Sequence, residues 1–294
     1  MSFGAVAGDY DRLRPGPPPE AIDWLLPDRR DVVVDLAAGT GLLTRALAGK
    51  VRHVIAVEPD ERMRSVLQAR SAEVEVLAGR GESIPLPDAS ADAVFVSSAW
   101  HWMDPRLAVS EISRVLKDGG RFGVIWTGRR RDIEWLHADE WFSEARAEAQ
   151  AGRAKPAGQS RDAQPRDAQS LYEPSWFEQP EAERPDDVPA SEQIPDQERR
   201  QVWLPDRTLF RNIETTVFRF SRYMPVADIV GMLATYSGII TASTGARDTG
   251  RARAAAALAE QFPGAAELDV PMRSRCWRAD RVSRISSPAA ASQR

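Results

Sequence analysis

The chain has 294 residues, a formal net charge of −4 and 43% hydrophobic residues. That length admits two domains, or one α/β domain carrying an insertion. The mild acidity argues against nucleic acid or an anionic membrane as the main partner, and the single cysteine, Cys276, excludes an internal disulfide framework and fits a reducing compartment.

The opening "MSFGAVAGDYDRLRPGPPPE" has early charges and a proline cluster where a signal peptide would have an apolar core. No apolar run approaches the roughly 18 residues of a membrane span, so a soluble, cytoplasmic protein is expected. "PPEAIDWLLP" places Ile22, Leu25 and Leu26 on one face and stops at Pro27, which predicts a short helix. A β-branched strand, 32–36, follows. After it comes a glycine turn and a helix with Leu42, Leu43, Ala46 and Leu47 inward, ended by Gly49. "HVIAVEPD" reads as a second buried strand, with Asp60 as cap of a helix carrying Met63, Val66 and Leu67.

"VEVLAG" is a third strand and "DAVFVSS" a fourth, apolar on both faces as a central parallel strand requires. "DPRLAVSEISRVLKDGG" has Asp104 as N-cap, Pro105 at the first helical position and glycines at the stop, and "RFGVIWT" is a fifth strand. This βαβ repetition predicts an α/β fold with a doubly wound sheet. From about Ala151 to Arg200 the composition turns to Pro, Gln, Asp, Glu and Arg, with "RDAQP" and "RDAQS" in tandem. Such a stretch buries too little apolar surface to offset chain entropy and reads as a flexible insertion. Within it, Leu171, Tyr172, Trp176 and Phe177 can anchor the loop or act as a partial lid.

Replacing residues 153–169 by a short Gly/Ser linker is expected to leave the melting temperature nearly intact. A large loss of cooperative unfolding would instead reveal a structural element there. Order is expected to return with the strand "TTVFRFSRYM", the helix "PVADIVGMLATYS", an Ala-rich helix at 251–261 and a last strand "MRSRCWRA". The arginines around that strand read as a solvated face, Cys276 as a buried small apolar residue, and the tail 282–294 as disordered. The expected organisation is therefore a core at 1–150, the insertion at 151–200, and a C-terminal strand–helix–helix–strand at 201–281.

The glycine turn carries the chemistry. "DLAAGTGLLT" supplies Gly39 and Gly41 but Thr44 where a dinucleotide fingerprint has its third glycine. Asp35, just before the turn, would repel a pyrophosphate and suit a ligand with positive charge. Glu58 ends the second strand nineteen residues after Gly39, where a carboxylate can take both ribose hydroxyls of a nucleoside. Adenosine without phosphate, joined to a cationic group, describes S-adenosylmethionine. Metal is not expected, since His53, His101 and His137 are the only histidines and have no ligand spacing. No nucleophile elbow of a serine hydrolase is present.

"DLAAGTG", "AVEPDERM", "GESIPLPDASADAVFVSSAWHWMD" and "VLKDGGRF" resemble the successive motifs of class I S-adenosylmethionine-dependent methyltransferases. The "YDRLRP" opening and the "HW" after the fourth strand are similar to the small-molecule branch that includes trans-aconitate methyltransferase-like proteins. The resemblance covers residues 3–127 well and the terminal elements loosely. It implies a Rossmann-like seven-stranded sheet ending in an antiparallel hairpin. It also implies that Asp35, Ala37, Gly39, Thr40 and Gly41 line the methionine part, Glu58 the ribose, and Pro59 and Met63 the adenine. Gly81 and Glu82 would reach the adenine edge, and Ser98 would pass near the methionine amine. Arg80 stands where the family often has an acid or a small polar residue, which moves the expected adenine amino contact toward backbone.

Tyr10 and Arg14 either close over the cofactor, the arginine pairing with its carboxylate, or fasten the N-terminal arm. His101 follows the fourth strand, and its ordinary pKa near ~6.5 suits proton removal from an acceptor at neutral pH. It can equally position the acceptor or be structural. Trp100 and Trp102 lean toward a planar substrate. The expected activity is methyl transfer to the oxygen, nitrogen or electron-rich carbon of a small molecule, in specialised metabolism. The alternatives are a cofactor-binding regulatory or scaffold protein without turnover and, more distantly, a nicotinamide oxidoreductase. The oligomeric state is not encoded in any feature above.

Overall fold

The computed structural model describes residues 7–130, 132–133, 135–151 and 202–283. The expected insertion, its aromatic segment and most of the expected tail lie outside these residues. α1 (Ala7–Leu13) and α2 (Pro19–Leu25) lead into β1 (Val32–Leu36), α3 (Leu42–Leu47), β2 (His53–Val57), α4 (Glu61–Arg70) and β3 (Glu75–Leu77). β4 (Ala91–Ser97), a 3-10 turn (Trp100–Trp102), α5 (Pro105–Val115) and β5 (Leu116–Arg129) complete the parallel part. The caps form as their residue types dictate. Asp60 accepts from the amides of Arg62 and Met63, and Asp104 accepts from the amide of Arg106 with Pro105 beside it.

The sheet has seven strands in the order β3-β2-β1-β4-β5-β7-β6, where β6 is Phe210–Pro225 and β7 is Glu267–Arg281. β1 to β5 are parallel, and β7 runs antiparallel to both β5 and β6. The expected Rossmann-like sheet with its C-terminal antiparallel pair is therefore present. Strand order reverses between β1 and β4, which opens a crevice beyond their carboxyl ends. Leu36 pairs with both Val57 and Val96, so β1, β2 and β4 end nearly level, while β5, paired at Ile125 with Ser97, runs on to Arg129.

Alternation along β1 and β4 feeds two cores, one on each face. Val34, Leu36, Val94 and Val96 pack with Ile112, Phe122 and Trp277 on the α5 side. Val33, Ala93 and Phe95 pack with Ile22, Leu25, Leu43 and Cys276 on the other. Burial there pushes the Cys276 thiol up to about 12, so it is a packed apolar group and not a nucleophile.

Three features depart from expectation. α5 does not run to the glycines: it stops at Val115, and Leu116 already pairs with Ala91, so the glycines sit inside a bulged strand start. Two helices precede residue 152, α6 (Ala138–Trp141) and α7 (Ser143–Ala151). Their apolar spacing is short and Ala-rich, which gave little periodic signal. They join α8 (Val226–Ala234), α9 (Ser237–Ile240) and α10 (Thr244–Gln261) in a third cluster built on Phe142, Ile229, Leu233 and Leu258, with Leu13 of α1 and Met272 of β7.

Finally, the arginines of β7 are not a solvated face. Arg278 lies 4.1 Å from the Trp24 ring centroid and pairs with Glu214. Buried Arg281 donates to the Leu116 carbonyl and to Asp118. A guanidinium with apolar stem and planar head fills such half-buried positions as well as a hydrophobe does.

Candidate functional site

The turn after β1 is built from left-handed backbone. Ala37, Gly39 and Gly41 have φ of 56°, 58° and 89°, and a Cβ on Gly41 would stand 2.9 Å from the Leu67 side chain. Ala37 holds this conformation without being glycine, and Ser98, after β4, does so at φ 55°. Two of the four non-glycine left-handed residues among those described thus flank the crevice, where held backbone can serve a ligand. The turn is anchored by Ala38 donating to the Val57 carbonyl and by Arg45, whose guanidinium binds the Thr40 carbonyl at 2.8 Å and Asp11 at 2.5 Å.

Asp35 is fully buried beneath this turn. Its Oδ2 accepts from the Thr44 hydroxyl at 2.6 Å. The residue in the third-glycine position is therefore the acid's partner. Burial raises the Asp35 carboxyl to about 7, opposed by the bonds from Thr44 and reinforced by the negative Glu58. The side chain that the resemblance places at the methionine part is thus wholly buried beneath the turn. Its Oδ1 and the Thr40 hydroxyl are buried polar atoms without a hydrogen-bond partner in the protein. Two such orphans in one turn fit a ligand that brings donors and positive charge.

Glu58 is 6% exposed at the end of β2. One carboxylate oxygen accepts from the Gly39 amide at 2.8 Å and the other from the Asp60 amide at 2.9 Å. Burial raises its pKa, while these two amides hold it down. Each oxygen keeps a lone pair for a diol. Pro59 is exposed beside it, and Met63 faces inward from α4.

After β3, on the same side of the crevice as Glu58, a Cβ on buried Gly81 would stand 2.5 Å from the Met103 sulfur. Glu82 accepts from the Asp104 amide at 2.8 Å. Trp100 is a core residue and not a substrate contact: it is 2% exposed and tilts its ring on Phe122 at 5.3 Å. His101 and Trp102 are both exposed on the 3-10 turn, ring centroids 4.9 Å apart. The alternation that buries Trp100 leaves its two neighbours facing out. Arg14 stacks between Tyr10 at 5.2 Å and Tyr236 at 4.3 Å, and its Nη1 is buried without a hydrogen-bond partner. Its α1 is tied to the glycine turn through Asp11 and to α8 through Arg12 and Asp228. Sequence reading missed Arg45, Thr44 as a partner of Asp35, and Tyr236; only Thr44, conspicuous as a missing glycine, carried a signal.

Residues 34–124 match the family model of the methyltransferase domain. An uncharacterized methyltransferase of Mycobacterium tuberculosis is 48% identical over 136 residues, 46% of this chain and 56% of that protein. A ubiquinone/menaquinone biosynthesis C-methyltransferase of Rubrivivax gelatinosus is 42% identical over 92 residues, 31% of this chain and 37% of that one. The matched part thus spans about half the length of the mycobacterial relative. A solved structure described as a type II methyltransferase, from Anaeromyxobacter dehalogenans, covers 91% of this chain and 97% of its own with a TM-score of 0.58 at 21% identity, a likeness of fold. Residues 34–124 therefore match a methyltransferase domain, and they lie within a fold like that of the Anaeromyxobacter structure.

Proposed function

We propose that the protein transfers a methyl group from S-adenosylmethionine to a small-molecule acceptor in the cytoplasm, as part of specialised metabolism. The observation that carries this reading is the pairing of a diol-binding carboxylate, Glu58, with a buried acid under a left-handed turn, across a crevice from exposed His101 and Trp102. When bound, the cofactor supplies a methyl carbon already activated by a sulfonium. The chain's residues therefore need to align, exclude water and take a proton.

Glu58 would hold the ribose, with Pro59 and Met63 beside the adenine. Asp35 and the Thr40 hydroxyl favour the cationic methionine end, and Arg14 meets its carboxylate. The stacked rings of Tyr10 and Tyr236 keep that guanidinium aimed while desolvating it, which strengthens a pairing with an anion. His101 and Trp102, exposed on the turn after β4, would face the acceptor, and His101 would take the proton that it sheds on accepting the methyl group. Among the described residues no helix is long and apolar enough to cross a membrane.

Incubation with methyl-labelled S-adenosylmethionine and a cell metabolite extract tests the reading, because a labelled product identifies both activity and acceptor. Binding without any product would favour the regulatory alternative. Glu58→Ala is expected to weaken S-adenosylhomocysteine binding in calorimetry by about 1.5–3 kcal/mol, the scale of charge-assisted hydrogen bonds. Tight NADH binding untouched by that change would overturn the cofactor assignment.

A further inference from the structure

The segment after β3, expected to serve only the adenine, is fastened along its length to the segment that follows β4. Glu82 accepts from the Asp104 amide at 2.8 Å. Gly81 packs against the Met103 side chain, where a Cβ would stand 2.5 Å from the sulfur. Two residues on, the Ile84 amide donates to Glu111 of α5 at 2.9 Å, and the Arg114 guanidinium binds the carbonyls of Ile84 and Leu86. Met103 is itself buried in the α5-side core. From the β3 side the carboxylate of Glu82 thus holds Asp104, two residues beyond the turn bearing His101 and Trp102.

We propose that Glu82 is a positioning residue for the acceptor side. Through the Asp104 amide it fixes the 98–103 segment, so that His101 and Trp102 stand in register with the cofactor edge formed by Gly81. The bond has the right chemistry: a carboxylate accepting from a backbone amide makes a stronger and shorter bond than a neutral pair. Asp104 supplies the N-cap of α5 from the same residue. One carboxylate thereby fixes the entry of a helix and the end of the turn before it. The inference rests on the methyl-transfer reading for its meaning, since it links the cofactor loop to the acceptor loop.

The test compares Glu82→Ala with Glu82→Gln, which retains an amide oxygen able to accept from Asp104. Two readouts are taken on the full chain: hydrogen exchange at the amides of residues 99–104, and calorimetric binding of S-adenosylhomocysteine. Glu82→Ala is expected to speed exchange there by about tenfold or more, the release that accompanies a lost charge-assisted hydrogen bond. Binding of S-adenosylhomocysteine should stay within about twofold, and Glu82→Gln should restore most of the protection. Label transfer in the extract assay should fall with Ala and recover with Gln.

Weakened S-adenosylhomocysteine binding with unchanged exchange would make Glu82 a cofactor contact and overturn the proposal. So would Gln behaving like Ala in exchange. If the unaltered protein does not bind S-adenosylhomocysteine, the cofactor reading fails by itself, while the exchange comparison still decides whether Glu82 holds the turn.

Discussion

His101→Ala is expected to lower turnover by ~10²–10⁴ while leaving cofactor affinity unchanged, the range lost when a general base is removed. The side chain stands exposed on the turn after β4, at the carboxyl edge where ligands of open α/β sheets sit, with Trp102 beside it. His101→Gln should be nearly as poor, because an amide keeps a polar contact but cannot carry a proton away. The measurement is the initial rate of label transfer at saturating cofactor. If Gln restores most activity, the ring positions the acceptor. If Ala turns over within a few-fold of the unaltered protein, His101 is structural and the assignment of the acceptor side to this turn is wrong.

The second large effect concerns pH. A carboxyl that ionises near 4 in the unfolded chain and at about 7 in the fold, as at Asp35, makes folding stability fall as pH rises through that window. The unfolded form releases its proton first, so stability is fully present below the unfolded pKa and the whole cost stands above the folded one. Roughly three pKa units correspond to a cost on the order of 4 kcal/mol. Asp35→Asn keeps an oxygen for the Thr44 hydroxyl and removes the charge. Urea unfolding without cofactor should therefore show a flatter profile between pH 4 and 7, and a variant more stable than the unaltered protein at pH 8. Glu58 is also raised and adds to the same slope in both proteins, so their difference isolates Asp35. Parallel profiles would show that Asp35 does not carry the titration. The same substitution should weaken S-adenosylmethionine binding, because the buried charge that costs stability is the one that favours a cationic ligand.

Most of the sheet was legible because parallel central strands must be apolar on both faces and helix starts need Asp, Ser or Pro at fixed offsets. Asp60, Asp104 and Pro105 cap where those rules place them. The helices at 138–151 were not legible, since their packing partners lie about a hundred residues later in the chain and their own stretch is short. In the site, Glu58 could be placed by spacing alone. Asp35 was found but its direction was not, because nothing in "DLAAGTG" says whether a carboxylate at a strand end points into the crevice or under the turn. Trp100 and Trp102 are indistinguishable as letters; a single 3-10 turn separates a core ring from an exposed one. Arg14 was open between two roles, and the tyrosine that completes its stack, Tyr236, is contributed from more than two hundred residues away.

The helices α6 to α10 cohere through apolar residues of their own, joined to the rest by Leu13, Met224, Val270 and Met272. Apart from Leu13 this layer lies wholly beyond the span 34–124. A layer with a core of its own can take substitutions without unsettling the turn after β1 or the carboxylate at the end of β2. The natural unit of exchange between relatives is then not a single loop but residues 136–151 grafted together with 224–272, one half of the layer being unable to bury its surface without the other.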